Sequence, residues 1–236
     1  MRNVTLHRWL DRLALVLWGL ALFGYFAPWI GREPMSAALA WNAYDLFDLL
    51  RLLPEVESGA VRVNLQGLRL PLIGLGMLLP LLLHRAETSV RWVAGFLGGC
   101  LAALTLPPYP QILSAWRTPG WSGVLGWAVA GIVLAVAGVP LAPRLRRYRG
   151  WLILAVVCVT GAPASLTLHR VLEPLSRLHG TMIRAGWGHW MCIIGMGLIG
   201  ISTWLQSILP GADYENQQAT DASSSNDQRE VRVETP

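Results

Sequence analysis

Two stretches of this chain hold side chains able to do chemistry. The first carries Asp45, Asp48, Glu55 and Glu57, carboxylates of the kind that act as general acids or bases. Asp45 and Asp48 are the acids expected to face the outer surface, where a membrane-embedded transferase could use them on a lipid or other apolar substrate. The second stretch holds His169, Arg170, Glu173, Arg177, His179, Arg184 and His189, a mixture that suggests a metal or an acid–base pair. Zinc sites bring two of their ligands within a few residues of each other, whereas these histidines stand ten apart, so no metal is expected. The chain has no Walker A loop, no HExxH, no GxSxG and no paired acids inside an apolar segment. No catalytic residue or cofactor is therefore assigned, and the balance is against an enzyme.

The elements that must carry these residues are apolar. Hydrophobic residues make up 53% of the 236 and charged ones only 14%, far below the roughly 25% of a soluble domain. About six apolar runs fill most of residues 13 to 209, and a helix crosses about 30 Å of hydrocarbon with roughly 20 such residues. The expectation is an all-α polytopic transmembrane bundle over 1–209, with spans near 13–30, 68–83, 92–113, 123–141, 151–168 and 187–209. The run after Arg2, Arg8 and Arg12 has the charge layout of a signal anchor. Its length and Pro28 favour one that is kept.

All 19 cations are Arg, and they sit mainly in short connections between apolar runs. Such placement sets topology and meets anionic lipid headgroups, so nucleic acid is not an expected partner. The densest group, Arg144, Arg146, Arg147 and Arg149, places its loop in the cytoplasm. That choice puts both termini in the cytoplasm, with Arg85 and Arg91 on the same side. Trp29, Trp92, Trp116, Trp121, Trp151 and Trp187 stand at span ends, where indoles anchor at headgroup level. Arg69, His84 and His169 stand at span ends too and are expected to snorkel to the interface. Cys100, Cys158 and Cys192 lie in apolar runs and read as small hydrophobes.

Between the first two spans, Leu39, Ala43, Leu46, Leu50 and Leu53 recur at helical spacing with Asp45 and Asp48 on another face. This pattern predicts an amphipathic helix on the outer side. Val61, Val63 and Leu65 then alternate with polar residues, a weak strand signal. After the fifth span, leucines 172, 175 and 178 predict a short interfacial helix facing lipid. From Pro210 the composition turns polar and acidic, and 210–236 is expected to be a disordered cytoplasmic tail.

Within the spans, Gly95, Gly99 and Ala103 repeat every four positions beside Ala94, Gly98 and Ala102. Either stripe lets another helix approach closely. Gly74, Gly76 and Pro80, and likewise Gly161 and Pro163, are candidate helix breaks. Breaks at matching places in two three-helix halves would point to an inverted-repeat transporter. No central span position carries Asp, Glu, Arg or His, which disfavours a proton-driven pump in this chain alone.

The segments Phe26-Ala27-Pro28-Trp29-Ile30, Asp45-Leu46-Phe47, Leu53-Pro54-Glu55-Val56 and Ser58-Gly59 resemble uncharacterised bacterial multi-spanning membrane proteins. The resemblance covers the first span and the loop after it, implies a bacterial inner-membrane location, and implies no activity. The first expectation is thus an integral membrane subunit of a larger assembly, the membrane component of a transport system energised by a separate ATPase or similar protein. Its partners would be membrane lipids and other subunits. A membrane-embedded enzyme acting on an apolar substrate, and a membrane scaffold or assembly factor, are the alternatives.

Overall fold

A computed structural model describes residues 2–32, 40–53, 56, 63–107, 111–113, 117, 121–145 and 148–208. Among them are seven helices: α1 Arg2–Phe26, α2 Ala43–Arg51, α3 Leu70–Leu82, α4 Thr88–Ala103, α5 Trp121–Arg144, α6 Arg149–His179 and α7 Trp187–Ile208. Two three-residue strands, β1 Ile30–Arg32 and β2 Ile183–Ala185, pair antiparallel with Gly31 opposite Arg184. Parts of α1, α5, α6 and α7 are long and apolar enough to cross a membrane, which makes this a multi-pass membrane protein by length and composition.

Apart from α2, the helices alternate in direction. One end of the bundle, here called the base, gathers the start of α1, the α3–α4 turn, the start of α6 and the end of α7, joined through Asp11, Arg85, Arg149 and Gln206. The opposite end, the cap, gathers α2, the β1–β2 pair and the start of α3. Around the bundle α1 packs on α7, α7 on α6, α6 on α3, and α3 on α4 and α5.

The centre is the shortest of these six helices. α3 has 13 residues and buries all but two of them. A helix that is apolar all round belongs in an interior, and its length of about 20 Å at 1.5 Å per residue falls short of the hydrocarbon thickness. α4, at 16 residues, spans about 24 Å on the same rise.

Glycines set how closely the helices approach. A methyl group on Gly76 would strike the carbonyl oxygen of Gly98, and one on Gly98 would strike the carbonyl oxygen of Gly76. This reciprocal backbone contact between α3 and α4 excludes any side chain at either position. Pro80 has no N–H to bond Gly76's carbonyl four residues earlier, and Gly98 packs directly against that oxygen. On the other stripe Gly95 meets Val139 and Ala135 of α5, while Gly99 faces Ile132 and Val136 at ordinary contact distance. Ala103 is only half-buried. Both stripes therefore make contacts inside the bundle. Gly74 abuts the Thr160 hydroxyl of α6.

Gly74, Gly76 and Pro80 do not break α3, and Gly161 and Pro163 do not break α6; both helices run through them. The carbonyl that Pro163 leaves without its helical donor belongs to Val159, whose residue lies on an exposed face of α6. Helix α6 continues for 31 residues, past the expected end at 168. It stops at Gly180, whose φ of 59° is the left-handed conformation glycine adopts without strain. The lipid-facing interfacial helix is thereby corrected, since Leu175 is wholly buried and only Leu178 is exposed.

Other boundaries shift for local reasons. α4 ends at Ala103, not near 113, where Thr105 donates its hydroxyl to the Ala102 carbonyl and Pro107 disfavours helix at the residue before it. Leu65 opens a 3₁₀ turn, Leu65–Leu68, and not a strand, because the Asn64 side chain accepts from the Gln66 amide. Val61, Leu39, Glu55, Glu57 and the tail 210–236 lie outside the described residues.

Candidate functional site at the cap

The cap is built on α2. Asn42 caps it, accepting from the Asp45 amide at 2.8 Å and donating its side-chain amide to the Asp45 carboxylate at 2.9 Å. Ala43, Leu46, Phe47 and Leu50 are buried, while Asp45 and Asp48 are exposed.

Arg69, at the start of α3, fixes α2 to the bundle. Its residue is only 2% exposed. One guanidinium nitrogen donates to the Asp48 carboxylate at 3.0 Å and another to the Thr105 carbonyl at 2.7 Å. The guanidinium carbon lies 3.8 Å from the Phe47 ring centre and 5.2 Å from that of Tyr44. Arg69 does not snorkel; it joins α2, α3 and the end of α4 by charge, hydrogen bonding and cation–π contact. Both candidate acids thus have structural work, Asp45 at a helix cap and Asp48 in the ion pair. Arg51, closing α2, has its pKa lowered, by burial first.

A second polar group lies between α6 and α7. Ser165 Oγ stands 3.1 Å from His189 Nε2. His189 is 1% exposed, and its Nδ1 is buried with no hydrogen-bond partner. Trp29, His169 and Trp190 set their rings edge-on to His189, with centroids 5.1 to 6.0 Å away. Trp29 is completely buried and donates its indole N–H to the Gly24 carbonyl at 3.0 Å. It is a core residue, which corrects its reading as an interface anchor; Trp92, Trp151 and Trp187 are exposed. His179, ten residues from both His169 and His189, instead packs against Trp41.

The base carries a third cluster. Asp11 pairs with Arg85 at 3.0 Å and with Arg149 at 3.3 Å, and the Gln206 amide sits beside Arg149. His84, expected to snorkel, is buried with Nε2 3.2 Å from an Arg149 nitrogen. Arginine only donates, so Nε2 accepts and this imidazole is neutral. Burial, then the charge of Arg149, push its pKa down to about 4.

No family model matches this chain, and neither does any curated protein or solved structure. Its function must be read from these contacts. Among the described residues no three metal-ligating side chains converge.

Proposed function

We propose that this chain is an integral membrane subunit of a larger assembly, the membrane component of a transport system energised by a separate protein. The observation that carries the reading is the free face of α1. Trp9, Leu13, Val16 and Leu20 are all exposed and recur at alternating intervals of four and three residues. That is the seam spacing by which one helix packs along another, on a helix whose other side is already committed to α7.

Two further features support the membrane placement. The six alternating helices fit six crossings of a bacterial inner membrane, with the short α3 enclosed by its neighbours and α4 presenting Trp92, Val93, Phe96 and Leu97 outward. Arg85, Arg144 and Arg149 stand at the base, beside the loop where arginine is densest, and this density supports a cytoplasmic base and termini by the positive-inside rule. In this frame α2 is an amphipathic outer segment. The mid-span positions lack ionisable side chains, which favours an energy source on another protein.

The test is purification in nanodiscs followed by mass spectrometry of what stays bound. A stoichiometric second membrane protein or ATPase, released by Val16→Arg, is the expected result. A lone monomer with unaltered behaviour in Val16→Arg overturns the reading.

A further inference from the structure

From the contact between Ser165 and His189, we infer that this chain carries a nucleophile–base pair for acyl transfer on ester-linked lipids of the outer leaflet. The two residues come from neighbouring helices, and their 3.1 Å separation is the hydrogen-bond reach that such a pair requires. With its hydrogen on Nδ1, His189 presents Nε2 as the acceptor for the Ser165 hydroxyl. The edge-on rings of Trp29 and Trp190 fix the imidazole plane.

Access and depth point to the substrate. Ser165 is half-buried, whereas Ala162, Leu166 and His169 beside it on α6 and Trp190 on α7 are exposed. A substrate therefore approaches from the side of the bundle, as a lipid does. Ser165 lies 16 residues beyond Arg149, the first residue of α6, or about 24 Å along the helix axis. In a core about 30 Å thick that depth is just inside the far boundary, where the ester carbonyls of phospholipids lie. This depth rests on the membrane placement proposed above; the reaction itself requires no partner subunit.

In the reaction, Ser165 Oγ bonds to the ester carbonyl carbon as its proton passes to His189 Nε2. The bond from that carbon to the lipid's alcohol oxygen breaks, and the departing alcohol takes the proton from His189. Water then attacks the Ser165 ester by the same route, releasing the fatty acid and restoring the hydroxyl.

The experiment treats the full chain in nanodiscs with a long-chain alkyl fluorophosphonate, whose fluoride leaves as Ser165 Oγ bonds to phosphorus. The adduct is located by peptide mass spectrometry on the unmodified sequence, so the answer does not depend on a variant folding. A single adduct on Ser165, formed about 100-fold or more slowly in His189→Gln, is expected. No adduct, an adduct on another serine, or labelling unaffected by His189→Gln overturns the inference and leaves an interhelical hydrogen bond. Labelling without a co-purifying subunit would support this site while overturning the assembly reading.

Discussion

Asp48 and Arg69 are unequally placed partners: their charged atoms are 3.0 Å apart, yet the Asp48 side chain is 51% exposed and that of Arg69 only 2%. Removing the acid therefore costs more than its own exposure suggests, because it leaves a buried guanidinium short of its counter-charge. Asp48→Asn should lower stability by about 1–3 kcal/mol, read as a drop in Tm of the detergent-purified protein. Asp45→Asn keeps a cap made by Asn42 and should cost less than about 1 kcal/mol. Equal losses in the two variants would remove the Arg69 tie from the account. Arg69→Lys should fail to restore stability, since an ammonium lacks the fork that reaches both Asp48 and Thr105.

The contact between Gly76 and Gly98 leads to a contrast between the two stripes of α4. Gly98→Ala must push α3 and α4 apart and should destabilise by about 2 kcal/mol or more, in the range of overpacked cores. Gly99→Ala has contacts only at 3.9 and 4.0 Å and should be within about 0.5 kcal/mol of neutral or stabilising through helix propensity. Thermal unfolding of the two variants side by side measures the difference.

His84 should make the base sensitive to acid. Its ordinary pKa of 6.5 is depressed to about 4 in the folded protein, so the unfolded chain binds the proton more readily. The stability His84 contributes is fully present above about 6.5 and is lost as pH falls from there through about 4. Tm followed across that window should fall, and His84→Gln should flatten the part due to this group. A profile unchanged by the substitution would contradict the neutral imidazole beside Arg149.

Because α6 continues unbroken through residue 163, Pro163→Ala restores an amide that the helix can use. The substitution should leave the fold intact and raise Tm, an interior proline costing up to about 3 kcal/mol. Loss of stability would show that Pro163 fits a distortion the helix needs.

Much of the fold was legible because each lipid-facing helix carries its own signal. Apolar runs bounded by Arg and Trp located α5 and α7 within a few residues, whereas α1 begins at Arg2, eleven residues before its apolar run; the periodicity around Leu46 and Leu50 located α2. The break candidates misled because a proline's cost depends on what meets the freed carbonyl. For Pro80 that carbonyl meets Gly98, a residue of another helix. His189 stood among the candidate acid–base residues of the sequence, but its pairing with Ser165, 24 positions away with no motif around either, did not. The one available signal was a histidine three residues into an apolar helix. Asp11 among Arg2, Arg8 and Arg12 was likewise a lone acid whose partners, Arg85 and Arg149, come from distant turns.

The sequence by itself determined the solvent of this protein, since 53% hydrophobic residues in long runs admit few environments other than a bilayer. Only the tertiary structure decided which helix is central, which small-residue stripes touch, and that Arg69, His84, Trp29 and His189 are buried. The physical reason is that hydrophobicity is a property of each residue and adds along the chain. Burial of a polar group depends instead on a partner supplied by another helix, and that partner is fixed only when the helices pack.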